Sequence, residues 1–176
     1  GELLELAQQN GIAVQYLHEG QQFQDGELLF QCLHPAKSYR AEDLNETSMV
    51  LLVTYKEFSM LLTGDVQGAG EEHLTQELQD QKEPGVTDHA ETELTILKVA
   101  HHGSKNSTSE EFLEAANPKL AIISCGKGNR YGHPHEETLE RLEKADVPWF
   151  CTKDYGAITV TVDGESHVKV RGYIAD

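Results

Sequence analysis

Apolar residues fall into short runs separated by glycine, proline and acidic turns, a pattern typical of many short strands. The first predicted elements are a helix over 2–10 and strands over 13–17, 22–24 and 28–33. The runs at 48–55 and 58–63 are almost wholly apolar and are joined by Lys56-Glu57. Because neither run alternates with polar residues, they predict a hairpin of central strands buried on both faces.

Beyond residue 68, helical and strand-like patterns alternate. A helix with only Leu74 and Leu78 as an apolar stripe is predicted over 68–82, followed by an acidic loop over 84–91. The next predicted elements are strand 94–100, helix 109–116, strand 120–125, helix 136–145 and strand 149–151. Such alternation predicts an α/β fold in which helices cover a buried sheet.

Local sequence signals mark several boundaries in this second part. Thr108 and Glu111 have the spacing of a capping box, which predicts the start of the helix over 109–116. Asp163-Gly164 predicts a closing hairpin of strands 157–162 and 166–173.

Chain length and net charge limit the number of domains and the kinds of binding partner that the sequence allows. The 176 residues suit one domain, and the formal charge of -16 excludes non-specific coating of nucleic acid. A polyanion could approach only where cations or a local basic patch intervene, and Lys119, Lys127 and Arg130 are the expected patch. The three cysteines, Cys32, Cys125 and Cys151, lie in apolar runs without a CxxC pattern, which predicts buried thiols.

Three candidate loops each follow a predicted apolar strand directly. Asp65, in Thr63-Gly64-Asp65, is either a turn-capping carboxylate or one that needs a cation as partner. His101 and His102 follow the strand over 94–100. Because adjacent side chains diverge in extended backbone, one imidazole is expected to face a metal and the other a substrate. The alternative is that both are ordinary core or surface histidines.

The third loop, 126–135, has three glycines, two cations and two imidazoles just before a predicted helix. Free N–H groups at a helix start favour an oxyanion such as a phosphate, whereas the alternative is a glycine-rich capping turn. His133 is the expected participant and His135 the bystander. Asp65, His102 and His133 offer donors that suit Zn or Mn. The remaining histidines predicted at the surface are His18, His73, His89 and His167.

The order of these motifs resembles a known family. TGD, LKVAHHGSKNSTSEEFL, GKGNRYGHPHEETLERL and TKDYGAITV follow one another between Gln31 and Val162. Together they are similar to the C-terminal metallo-beta-lactamase-like domain of ComEC-type competence proteins, which carry DNA across the cell envelope. The resemblance implies an αβ/βα sandwich with a divalent metal, Zn or Mn.

The resemblance also implies roles for single residues. Asp65 matches a bridging metal ligand, and His101 and His102 match a histidine pair of which one is a ligand, with His102 favoured. The substrate pocket is matched by Ser104, Asn129, Arg130 and His133, and either His101 or His133 is expected to protonate the leaving oxygen. Asn45 stands where many relatives of the fold carry a ligand histidine and is assigned to substrate binding, with His34 as a less favoured substitute for that ligand.

One departure concerns the HxHxDH motif, which supplies most metal ligands in this fold and does not occur in the sequence. Residues 1–176 are therefore expected to form a single partial domain, the C-terminal portion of the sandwich. Weak metal binding and little or no activity are expected of it alone. Strand edges left open by such a division would favour a homo-oligomer.

The function implied for the parent protein is metal-dependent cleavage of the DNA strand that is not taken up. The domain would be attached to membrane domains of the same polypeptide, on the extracytoplasmic side of the cell membrane, with single-stranded DNA as partner. Two alternatives stay open: a hydrolase of small phosphoesters, and a non-catalytic docking module of the DNA channel.

Overall fold

Seven strands form one mixed sheet in chain order in the computed structural model, which describes residues 1–81 and 94–174. The strands are β1 Gln22–Asp25, β2 Leu28–His34, β3 Val50–Tyr55, β4 Phe58–Leu62, β5 Ile96–Lys98, β6 Leu120–Ile123 and β7 Trp149–Cys151. Strands β8 Ile158–Val162 and β9 Val168–Gly172 pair as a separate hairpin. The helices are α1 Glu2–Gln9, α2 Gly68–Gln81, α3 Glu110–Ala116, α4 Glu136–Lys144 and α5 Thr152–Tyr155, with 3-10 helices over Leu44–Thr47 and Ala100–Gly103.

The sheet changes character at β4. Strands β1 to β4 pair antiparallel, and strands β4 to β7 pair parallel. Tyr55 pairs with Phe58 across the tight turn of the central hairpin, where Lys56 takes a positive φ of 52°. Parallel pairing places the carboxyl ends of β4, β5, β6 and β7 along one edge of the sheet.

Side chains of the central strands alternate between two cores, as the period of two requires. Leu61 and Leu97 belong to the larger core, which α2, α3 and α4 cover. Met60 and Ile96 belong to a smaller core on the other face, against the β8–β9 hairpin. The predicted α/β fold with buried central strands is confirmed.

Two local predictions differ from the structure. Residues 13–17 form no strand, and Tyr16 is 73% exposed, because β1 occupies the edge position beside β2. Ser109 caps α3 by accepting a hydrogen bond from the Phe112 N–H, so the Thr108 capping box is wrong. Thr108 instead has a φ of 58°, and its N–H donates to the buried Glu71 carboxylate.

Helix α2 is less exposed than its sequence suggests. It buries Glu71 and Thr75 as well as Leu74, because it packs against α3 and against the segment over Leu44–Thr47. The predicted acidic loop over 84–91, with His89, lies outside the described residues.

All three cysteines are buried free thiols, as predicted. Burial raises the pKa of Cys125 to about 12, and the Cys151 sulfur 3.3 Å away adds to that effect. At the outer edge of the sheet, all four residues of β1 are exposed. Within 1–81 and 94–174, none of the helices has the length and apolar character needed to cross a bilayer.

Candidate functional site

Three loops meet at the edge where the parallel strands end. Asp65 follows β4, His101 and His102 follow β5, and His133 lies in the loop after β6. We call these four residues the rim site. Since β4, β5 and β6 are adjacent and parallel, their loops leave the sheet side by side.

Distances within the rim site show one shared cleft. His102 Nε2 lies 3.6 Å from Asp65 Oδ1. The His133 ring centroid lies 5.6 Å from that of His101 and 6.2 Å from that of His102. The structure therefore brings together the carboxylate and imidazoles that the sequence singled out.

The backbone of the histidine pair is not extended. His101 has φ 44° and His102 has φ 59°, both in the left-handed region that residues other than glycine seldom occupy. The turn is held where Gly64 O accepts from His101 N–H and His101 O accepts from Ser104 N–H. The extended backbone expected for this pair is therefore wrong, and the two rings, whose centroids are 6.3 Å apart, contact different partners.

Both imidazoles of the pair are fixed through Nδ1. His102 Nδ1 lies 2.6 Å from the Ser124 carbonyl oxygen, which can only accept, so Nδ1 carries the proton. His101 Nδ1 lies 2.8 Å from Gln67 Oε1, and Gln67 Nε2 donates to the Asp43 carboxylate at 2.7 Å. Each Nε2 keeps its lone pair, as a metal-binding or proton-accepting imidazole requires.

His133 and His135 differ in what surrounds them. Burial lowers the pKa of His133, and the imidazoles of His135, His101 and His102 lower it further. His135 Nδ1 accepts from the Lys105 N–H at 3.1 Å and so helps to hold the loops together. This structural contact agrees with the expectation that His135 is the bystander.

Gly103 holds the loop of His101 and His102 against the loop over 126–135. It has φ 82°, and a Cβ built on it would lie 2.7 Å from Pro134 Cβ. Gly103 O also accepts from the His135 N–H at 2.9 Å. A residue without a side chain is thus needed for the two histidine loops to meet.

Two residues assigned to the substrate pocket contact the protein instead. Ser104 is 4% exposed, and its Oγ accepts from the Asn106 N–H within the turn, so its assignment to the pocket wall is wrong. Asn129 Nδ2 donates to the carbonyl oxygens of Gly126 and His133, and its Oδ1 accepts from the His133 N–H. Asn129 therefore shapes the loop that carries His133.

Arg130 and Asn45 are two further residues assigned to substrate binding, and both are more accessible to solvent than Ser104. Arg130 is exposed, donates to the Tyr131 hydroxyl at 2.8 Å and lies over its ring, which in turn stacks on His133. Asn45 is half-buried in the Leu44–Thr47 segment, and its N–H donates to Asp43 Oδ1. This links it by way of Asp43 to the hydrogen bonds that fix His101.

Lys119 does not belong to a basic mouth at this edge. It precedes β6, whereas Lys127 follows that strand, so the two residues lie at opposite ends of it. The grouping of Lys119 with Lys127 and Arg130 is wrong, because strand direction separates positions that look similar in sequence.

Sequence reasoning missed several supporting residues. Lys98 lies near Asp65 and donates to Gly64 O at 2.8 Å. Burial lowers the pKa of Lys98, whereas the negative charge of Asp65 raises it. A lysine in the apolar run LKVA was the available signal. Gln67 and Asp43 carried no signal, because their role depends on a contact between distant loops.

A groove of about 450 Å³ opens beside His102. Its walls include Ser124, Cys125, Gly126, Lys127 and Thr152. In the rim site next to it, Asp65 Oδ1 and His102 Nε2 lie 3.6 Å apart, so both can reach one divalent cation at bond lengths of about 2 Å and would supply two of the ligands it needs.

Comparison with known proteins agrees with these features. The profile of the metallo-beta-lactamase superfamily matches residues 37–127. ComE operon protein 3 of Bacillus subtilis is 35% identical over 156 residues, which are 89% of this chain and 19% of that protein. Recombination protein 2 of Haemophilus influenzae is 37% identical over 66% of this chain and 13% of its own length.

A third relative, competence protein ComA of Neisseria gonorrhoeae, is 32% identical over 73% of this chain and 17% of its own length. The chain therefore spans less than a fifth of the length of the curated relatives it matches.

Proposed function

We propose, from the premise that this chain belongs to the metallo-beta-lactamase superfamily and matches its ComEC-type competence members, that it forms part of a metal-dependent phosphodiesterase acting on DNA during uptake. The observation that carries the proposal is the facing pair of Asp65 Oδ1 and His102 Nε2, with the imidazole oriented by Ser124 O. Such a pair suits a cation at the point where a phosphate enters the groove.

In this proposal Asp65 and His102 hold a Zn or Mn ion, whose chemistry is to polarise a phosphate and to make water nucleophilic at neutral pH. His101 Nε2 is positioned for proton transfer, because Gln67 fixes the other ring nitrogen. His133 is the second candidate for protonating the leaving oxygen. Its lowered pKa favours the neutral ring, so His133 would first have to take up a proton, such as the one released by the attacking water, before it could protonate the leaving oxygen.

Phosphate binding is assigned to groups at the carboxyl end of β6. Lys127 lines the groove, and the exposed Arg130 lies on the same loop. With the half-buried Lys98 near Asp65, these cations offset locally a chain charge of -16. A polyanionic strand would otherwise be repelled.

The context proposed for the parent protein follows the names of the relatives. We assign the chain to a membrane-associated competence protein, attached to membrane domains on the extracytoplasmic side, with the non-transported single strand as substrate. We expect weak metal binding at the rim site and little activity from these residues alone, as a partial domain. The fully exposed strand β1 is the surface proposed for a homo-oligomer.

Asp65→Asn in the full-length protein tests catalysis, with Asp146→Asn, exposed before β7 at the opposite edge of the sheet, as matched control. We expect loss of Mn- or Zn-dependent hydrolysis of a single-stranded oligonucleotide by about a hundredfold or more, with folding intact by circular dichroism. The control should retain full hydrolysis. Equal hydrolysis by both variants would overturn the proposal, and unchanged DNA uptake by Asp65→Asn would favour the docking module.

The net charge favours a second candidate, a hydrolase of small phosphoesters, for which an acidic surface matters less. Salt separates the two candidates. Cleavage of DNA should fall steeply between low and high salt, whereas cleavage of bis-nitrophenyl phosphate should change little.

A further inference from the structure

A second group of metal-binding side chains lies beside the rim site and shares no residue with it. Glu19, His34 and His73 each offer a ligand atom, and these three atoms lie within 4.8 Å of one another. They come from the segment before β1, from the end of β2 and from α2. Their separation in sequence hides the group from any motif search.

The fold brings these three residues together for identifiable reasons. β2 runs parallel to β4 through the intervening β3, so His34 ends at the same sheet edge as the rim site. Glu19 is held there because its N–H donates to Pro35 O at 2.9 Å. His73 lies one residue before Leu74, which is buried in the core, and this packing sets the position of α2.

His34 is the observation that points to a ligand. It is completely buried, and its Nε2 lies 2.6 Å from the Glu46 carbonyl oxygen, so Nε2 carries the proton. Its Nδ1 is buried with no hydrogen-bond partner among the described residues. An unpaired imidazole nitrogen with a lone pair is destabilising in a protein interior unless a cation or donor meets it.

The other two residues complete the ligand set. His73 Nε2 lies 2.7 Å from Glu19 Oε2, and their side chains are 38% and 26% exposed. The ring of Tyr39 packs edge-on against His34 at 4.8 Å and lies 6.0 Å from His73, which shields one side of the group. The partly open side leaves room for a water molecule.

We propose that Glu19, His34 and His73 form a zinc site separate from the rim site. Two imidazole nitrogens and one carboxylate oxygen are ligands that Zn²⁺ takes in proteins, with water in the fourth position. Bound there, zinc ties the segment around Glu19 to β2 and α2.

This site also supports the Leu44–Thr47 segment. His34 donates to the Glu46 carbonyl oxygen on one side of that segment, while Asp43, its N-terminal cap, reaches Gln67 and through it His101 on the other. We therefore assign zinc at Glu19, His34 and His73 a structural role.

The test measures zinc itself and does not depend on the proposed enzymatic activity. In a chain carrying Asp65→Asn and His102→Asn, which removes the rim ligands, calorimetric titration should still show about one Zn²⁺ bound per chain. Adding His73→Asn should weaken that binding by about tenfold or more. Adding His167→Asn should not, because His167 contacts Asp163 and Glu165 on the separate β8–β9 hairpin and is absent from the three-residue group.

Absence of zinc binding by the background variant, or equal binding by the His73→Asn and His167→Asn chains, would overturn the site. If the background variant fails to fold, the unmodified chain is used. Zinc should then shift the imidazole proton resonances of His34 and His73 in its NMR spectrum, and unshifted resonances would equally overturn the proposal.

Discussion

The parallel and antiparallel halves of the sheet differ in how many of their strands end at the edge that carries the rim site. In the parallel half, β4 to β7, every strand ends at the same edge, and the loops after three of them form the rim site. In the antiparallel half, β1 to β4, only alternate strands reach that edge, so β2 contributes His34 while β1 and β3 turn back at the opposite edge. Chemistry on the parallel half can therefore be followed in chain order, whereas chemistry on the antiparallel half is assembled from separated segments.

Alanine substitutions of two phenylalanines test how much the sheet centre and the antiparallel edge each contribute to the free energy of unfolding. Phe58 on β4 is 7% exposed, whereas Phe23 on β1 is 42% exposed and stacks on Phe30 at 4.5 Å. Phe58→Ala should lower the free energy of unfolding by about 3–5 kcal/mol and Phe23→Ala by about 1 kcal/mol. Urea denaturation provides the values, and similar costs would show that the edge is as firmly packed as the centre.

Gly103→Ala tests whether the two histidine loops are locked together. An alanine there needs a φ of 82° and places a Cβ 2.7 Å from Pro134 Cβ, so we expect a loss of about 3 kcal/mol in unfolding free energy. Gly126→Ala is the matched control, since a Cβ there meets nothing within 4 Å. A control-like result for Gly103→Ala would mean that the loops can separate without cost.

Much of the parallel half could be predicted from sequence because each signal there is local. Apolar runs marked β4, β5 and β6. Asp65 and His101 follow β4 and β5 closely, and His133 lies in the glycine-rich loop between β6 and α4. The left-handed backbone of His101 and His102 could not be predicted, because contacts with Gly64 and within the turn hold it.

The antiparallel half was less predictable for a physical reason. His73 reads as a surface residue on a polar helix, and only the packing of α2 brings it near Glu19 and His34. The same limit applies once in the parallel half, where Ser104 looks like a pocket hydroxyl in HHGS, yet the turn that positions His102 buries it. Contacts that depend on tertiary packing leave no periodic or motif signal in the chain.

Glu71→Gln tests the link between α2 and the parallel half. The Glu71 carboxylate accepts from the N–H groups of Thr108 and Ser109, and a glutamine amide can satisfy only one of them. We expect a loss of about 2 kcal/mol in unfolding free energy, against little change for the exposed neighbour Glu72→Gln. Equal thermal stability of the two variants would contradict the assigned link.

The smallest expected effect is a difference in thiol reactivity between the halves. Cys125 on the parallel side has a pKa raised to about 12, so only about one molecule in 10⁴ is thiolate at pH 8. Its alkylation by iodoacetamide in the folded protein should therefore be very slow, because the reactive thiolate is scarce.

Burial also raises the pKa of Cys32, which lies on β2 next to the exposed edge strand. We expect Cys32 to be alkylated before Cys125 in the native protein, because opening the antiparallel edge disrupts fewer buried contacts than opening the sheet centre. Mass spectrometry of partially labelled protein determines the order. If Cys125 is labelled first, the parallel half opens more readily than the antiparallel half, although Gly103 and Pro134 hold its two histidine loops together.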